Sequence, residues 1–140
     1  MAGSAFYISE VVFGSDGYVA VTNGSSETAD PDGLFLCQFP SYPPLPAGPI
    51  EPGKSVHVAA SDIGELSGDS GEAALYLRPD WSDPEAIAGY MQWGSAGHKR
   101  ETPAVEAGVW ERDAFVDASG AASLRAVGPG VNTVRGWSTV

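Results

Sequence analysis

The sequence predicts an all-β sandwich of about seven short strands, with one short helix near residues 103–107. Two observations predict it. Apolar, β-branched and aromatic residues gather in short runs, too brief for ordinary helices. Between the runs lie turn-forming residues, and the chain of 140 residues holds 18 glycines and 11 prolines. A hydrophobic fraction of 43% supplies a core, and a chain of this length buries roughly two-thirds of its unfolded surface on folding.

The elements follow in order. Phe6 to Phe13 reads as a first strand, and Gly14-Ser15-Asp16-Gly17 as a turn. Tyr18 to Thr22 is the hairpin partner, ended by Asn23-Gly24. Leu34 to Phe39 is a third strand, entered through Asp30-Pro31-Asp32-Gly33. Prolines 40, 43, 46, 49 and 52 then recur every three residues. A polyproline II segment would align them on one edge as a docking ridge; the plainer reading is a stiff crossover between sheets, and that reading is preferred. Lys54 to Ala60 alternates, with Val56 and Val58 on one face and His57 on the other. Residues 61–71 form a loop with room for a single helical turn. Ala73 to Leu77 and Ile87 to Trp93 are strands around a turn at Pro79–Pro84, with Ile87, Met91 and Trp93 in phase. Thr102-Pro103 fits a helix N-cap and first turn, and Gly108 fits its stop. A strand near Ser123 to Val127 and an apolar anchor at Trp137 complete the chain.

Residues 1–5 read as an N-terminal extension and residues 6–140 as one domain, with no repeat and no dividing linker. Met1-Ala2-Gly3-Ser4-Ala5 has neither the basic region nor the apolar core of a signal peptide. No stretch approaches the roughly 20 apolar residues of a membrane span. The net charge is −11, which repels phosphate backbones and anionic lipid surfaces, so non-specific nucleic-acid binding and membrane insertion are not expected. Cys37 is the only cysteine; within Leu34-Phe35-Leu36-Cys37 it reads as a packed, inert thiol.

Five motifs in sequence order resemble lamin-tail domains. Ile8-Ser9-Glu10-Val11 resembles that family's opening strand, and Val19-Ala20-Val21-Thr22-Asn23-Gly24 its second. Gly33-Leu34-Phe35-Leu36 is similar to its third. Ile50-Glu51-Pro52-Gly53-Lys54-Ser55-Val56 is similar to its proline-glycine element, and Gly89-Tyr90-Met91-Gln92-Trp93-Gly94 to a strand ending in tryptophan. The resemblance runs from about Phe6 to Trp137. It implies an immunoglobulin-like β-sandwich that binds or scaffolds rather than catalyses.

The chemistry-bearing residues give weak signals. Gly68-Asp69-Ser70-Gly71 has the look of a serine-protease nucleophile loop. That mechanism needs an oriented histidine base, and His57 lacks the setting for one. His57 and His98 with one carboxylate could supply three zinc ligands, but their spacing does not point there. Asp30 and Asp32, and Asp80, Asp83 and Glu85, crowd turns without matching a calcium loop, and read as turn and capping groups. No cofactor is expected. His98-Lys99-Arg100 is the one basic knot in an acidic chain, near Trp93 and Trp110. Arginine beside aromatic residues is typical of interface hot spots, so His98, Lys99 and Arg100 are the first candidate contact residues. Trp81, in Pro79-Asp80-Trp81-Ser82-Asp83, is the best exposed candidate for stacking on a sugar.

The preferred reading is therefore a non-catalytic structural or protein-binding module, with a protein partner or a second copy as its target. It fits a cell-surface, extracytoplasmic or virion assembly. Two alternatives are a carbohydrate-binding module using Trp81 and a small metal-dependent hydrolase.

Overall fold

A hairpin, a bulge and a crossover account for most of the architecture of the computed structural model, which describes residues 5–140. Most of the expected N-terminal extension, residues 1–4, lies outside the described residues. Ala5 already packs against the core, and its carbonyl accepts the Gly24 N–H at 2.7 Å. The chain is an all-β sandwich of two antiparallel sheets.

The first sheet begins with β1 (Phe6–Val12) and β2 (Tyr18–Asn23), joined at Gly14–Gly17. A Cβ on Gly17 would stand 2.0 Å from the Val12 carbonyl, so this turn closes only on glycine. Buried Phe6 and Ile8 keep a period of two, but the next buried position is Val11. The register shift between Ile8 and Glu10 is the β-bulge that reconciles them. The sheet is completed by β4 (Ser55–Ala59) beside β2, β7 (Ser123–Ala126) beside β1, and β8 (Trp137–Thr139), in the order β4-β2-β1-β7-β8. The strand β8 realises the anchor expected at Trp137.

The second sheet has the order β3-β5-β6, from β3 (Phe35–Cys37), β5 (Gly71–Tyr76) and β6 (Ile87–Trp93). Its inner face brings Leu36, Leu75, Met91 and Trp93 into the core against Val11, Val19 and Val21. Every residue of β5 is buried, and so are Tyr90 and Gln92 on β6. The alternation expected of β6 is therefore incomplete, because its outer face is also covered. The cover consists of α2 (Glu101–Glu106) and the loops that carry Tyr42, Trp81 and Trp110.

Three local expectations are corrected. The third strand is Phe35–Cys37 rather than Leu34 to Phe39, because Gln38 and Ser41 exchange backbone hydrogen bonds and reverse the chain. That reversal rules out a continuous proline ridge from residue 40. Beyond it the chain lies along β3, with Leu36 N–H on the Pro43 carbonyl and Leu45 N–H on that of Leu34, then crosses to β4. The helix spans Glu101–Glu106 rather than 103–107, and its N-cap is Arg100, not Thr102. Tertiary bonds to the Glu101 carboxylate fix the start, while Gly108, at φ +77°, stops the helix as expected. The single helical turn expected in residues 61–71 is α1 (Ala60–Ile63).

Candidate functional site

The outer face of the three-stranded sheet carries polar residues in an unusual position. Antiparallel partners share a face, so the pairs Glu72–Gln92, Ala74–Tyr90 and Cys37–Ala74 put Glu72, Gln92, Tyr90 and Cys37 on one surface. All four are buried. Buried polar groups need partners, and here they find one another. The Tyr90 hydroxyl donates to Glu72 Oε1 at 2.8 Å and lies 3.0 Å from Gln92 Oε1. Gln92 Nε2 donates to Glu101 Oε2 at 2.9 Å and to the Ala114 carbonyl at 2.7 Å. Glu101 Oε2 also accepts the Asp113 N–H at 2.8 Å, and Glu72 Oε1 accepts the Arg100 N–H at 3.0 Å.

This network ties the loop after β6 to the sheet at both ends. It starts from Gly94, whose φ is +77° and whose Cβ would lie 1.8 Å from the Asp69 carbonyl oxygen. No other residue type fits there without moving the chain. The 94–101 loop is therefore held as a rigid piece of the fold.

The structure separates the predicted contact residues. Arg100 is 8% exposed and so does not merely solvate the loop. Its guanidinium donates to the Tyr42 hydroxyl, approaches the Trp81 carbonyl at 3.5 Å and leaves Nε without a hydrogen-bond partner. Arg100 Cζ lies 5.5 Å from the centre of the Tyr42 ring and 5.7 Å from that of Phe39. Lys99 is exposed, with Nζ 5.3 Å from the same Phe39 ring. His98 is half-buried, with Nε2 3.3 Å from Ser95 Oγ. Trp93 and Trp110 are core residues and contribute nothing to the exposed surface of this loop.

Trp81 is not the exposed stacking platform expected of it. It is half-buried, stacked on Tyr42 with centroids 4.3 Å apart and flanked edge-on by Phe35 and Tyr76. Its carbonyl accepts the Tyr76 hydroxyl at 2.7 Å. The neighbouring carboxylate of Asp83 accepts from Arg78 and from the Glu85 N–H, which sets the turn.

The residue that sequence reasoning missed is Phe39. It is 46% exposed, at the tip of the Gln38–Ser41 reversal, under the two cations. Its local signal was an aromatic next to proline at a strand end, which does not announce exposure. Phe39, His98 and Lys99 together line a groove of about 300 Å³, with Gln38, Ser41 and Glu72 among its other walls. A larger cleft of about 940 Å³ lies at the end of the sandwich, beside Tyr7, Ile87 and Glu106. Among the described residues that line it, the one cation, Arg78, is already engaged by Asp83.

Cys37 is buried beneath this site, and burial, with Glu72 nearby, pushes its thiol up to about 12. At neutral pH it is a thiol and not a thiolate, so it has no nucleophilic character. The native protein is expected to resist thiol-specific reagents at pH 8 and to react fully once unfolded in denaturant. A titration that labels Cys37 at the same rate in both states would contradict this environment.

His57 lies on β4 of the other sheet, with its ring stacked 3.9 Å from that of Tyr18. Ser70 precedes β5, in the three-stranded sheet. Among the described residues, no group of three or more His, Cys, Asp or Glu side chains is placed to hold a metal ion. Comparison with known proteins returned no match: no family model, no curated protein and no solved structure is significantly similar to this chain.

Proposed function

We propose that this chain is a non-catalytic protein-binding module whose contact surface is the groove formed by Phe39, His98 and Lys99. The observation that supports this reading most directly is a half-exposed aromatic ring with two cations over it, beside a loop that hydrogen bonds tie to the sheet. A preorganised aromatic anchor loses little conformational freedom on binding. The chemistry fits a protein segment that presents an apolar side chain beside a carboxylate. The side chain would cover the open part of the Phe39 ring, and the carboxylate would meet Lys99. The lamin-tail resemblance agrees with a scaffolding role at a cell-surface, extracytoplasmic or virion assembly. The carbohydrate reading loses its platform, because a neighbouring tyrosine already stacks on Trp81.

The test is affinity capture from the native source with the wild-type chain and two surface variants, Phe39→Ala and Lys99→Glu. Both positions are exposed, so thermal unfolding is expected to move by no more than about 1 kcal/mol in either. A partner retained by the wild type should be lost from both variants, with the Lys99→Glu effect shrinking at high salt. Equal capture by all three proteins would sink the assignment of this groove.

A further inference from the structure

Edge strands present unpaired N–H and C=O groups, and folded proteins manage them by shortness, bulges, prolines or cover. Here β3 is covered by the Pro43–Leu45 segment, and β6 is bridged at its end by Val116. The far edge of the five-stranded sheet is β8, only three residues long. The remaining edge, β4, has none of these devices among the described residues. It runs five residues, pairs with β2 from Tyr18–Ala59 to Thr22–Ser55 without a register shift, and contains no proline.

The direction of its backbone groups is readable from the ends of the ladder. Asn23 N–H donates to the Lys54 carbonyl and Ala60 N–H to the Gly17 carbonyl. Even-numbered residues therefore face β2; Ser55 and His57 aim both N–H and C=O outward, and Ala59 its N–H, while the Ala59 carbonyl, at the N-cap of α1, takes that helix's first bond. The side chains of Ser55 and His57 are exposed on the outer face, while Val56 is half-buried and Val58 buried.

We infer that β4 is a self-association edge, and that its partner is β4 of a second copy of this chain. The segment Ser55-Val56-His57-Val58-Ala59 is nearly palindromic about His57, and a two-fold interface must be self-complementary. An antiparallel pair centred on His57 sets Ser55 opposite Ala59 of the second copy, Val56 opposite its Val58, and His57 opposite its counterpart. That register joins the N–H and C=O of His57 to those of its counterpart and the Ala59 N–H to the Ser55 carbonyl, with the Ser55 N–H sharing the Ala59 carbonyl with α1; a shift by one residue pair leaves more of them unmet. It also extends the valine row of the inner face across the junction. Charge agrees. The segment from Lys54 to Ala60 has no carboxylate in a chain of net charge −11. Antiparallel pairing carries each Lys54 toward the end of the other copy's strand, where Asp62 is exposed on α1.

The inference deepens the reading of the chain as a binding module by naming one partner. It uses the opposite sheet from the Phe39 groove, so either can fail alone. The experiment is sedimentation equilibrium of the full chain up to roughly 1 mM, with His57→Glu, His57→Lys and their equimolar mixture. The wild type should form a dimer. Each variant alone places like charges face to face and should weaken association roughly tenfold or more, and the mixture should restore it. Phe39→Ala should leave the dimer intact. A wild type that stays monomeric throughout overturns the inference. So does a dimer that survives both His57 variants, or a mixture that fails to recover.

Discussion

Replacing Trp93 by alanine is expected to cost about 3–5 kcal/mol of stability, the usual range for a large aromatic removed from a core. Trp93 is fully buried and packs its ring 5.5 Å from that of Phe13. Its Nε1–H donates to the Ser67 carbonyl at 2.7 Å, so the truncation also leaves that carbonyl without its partner. The cavity would not collapse easily, because the wall opposite is backbone. A Cβ at Gly71 would sit 2.3 Å from Trp93 Cζ2, which shows how closely β5 and the indole approach. For a domain of this size the melting temperature should fall by roughly 10 °C or more. Trp93→Phe keeps most of the volume and should lose only about 1–2 kcal/mol, chiefly through the Ser67 carbonyl. Thermal or urea unfolding followed by fluorescence and circular dichroism decides the matter. A Trp93→Ala protein within 1 kcal/mol of the wild type would mean that this core is not packed as described.

The second large effect belongs to the polar layer outside the three-stranded sheet. Glu72→Ala should destabilise the protein by about 2–3 kcal/mol, because it leaves the Arg100 N–H buried without its acceptor, takes the closer of two acceptors from the Tyr90 hydroxyl and opens a cavity in the buried layer. Glu72→Gln keeps an acceptor oxygen and removes a buried charge, so its cost should stay below about 1 kcal/mol. Burial and the Glu72 carboxylate already hold the Tyr90 phenol well above its usual range, so the phenol stays protonated and able to donate. Tyr90→Phe alone should cost about 1–2 kcal/mol. The double variant Glu72→Ala/Tyr90→Phe should cost less than the sum of the two single changes, with a coupling of about 1 kcal/mol. Additive losses would show that the two groups do not act as one network. The same variants should loosen the 94–101 loop, so faster amide exchange at Arg100 is expected alongside the stability loss.

Strand positions were legible in the sequence because they rest on local signals. Phe6 and Ile8 recur at a spacing of two, as do Val19 and Val21 within a β-branched run, and Gly14, Gly17, Gly94 and Gly108 stand where the chain turns or a helix stops. The bulge was not legible there, because Val11 is followed by the equally apolar Val12 and Phe13 and only burial singles Val11 out. The candidate site was only half legible. The basic knot lies in the loop beside the proposed groove, and Lys99 and His98 line that groove. Nothing within residues 98–100 distinguishes the exposed lysine from the buried arginine beside it.

The sequence by itself determined the all-β class, seven of the eight strands to within a few residues and the glycine stop of the helix, since periodicity and backbone freedom are properties of neighbouring residues. Only the tertiary structure decided that the second sheet is covered on both faces. From that cover follow the burial of Arg100, the enclosure of Trp81 and the start of the helix at Glu101, where Gln92 and Asp113 take hold of its carboxylate. The exposure of Phe39 was likewise settled by the Gln38–Ser41 reversal and the cations brought over it from the 94–101 loop. The physical reason is common to all four. Burial depends on which distant segments arrive to exclude water, and residues far apart in the chain decide it together.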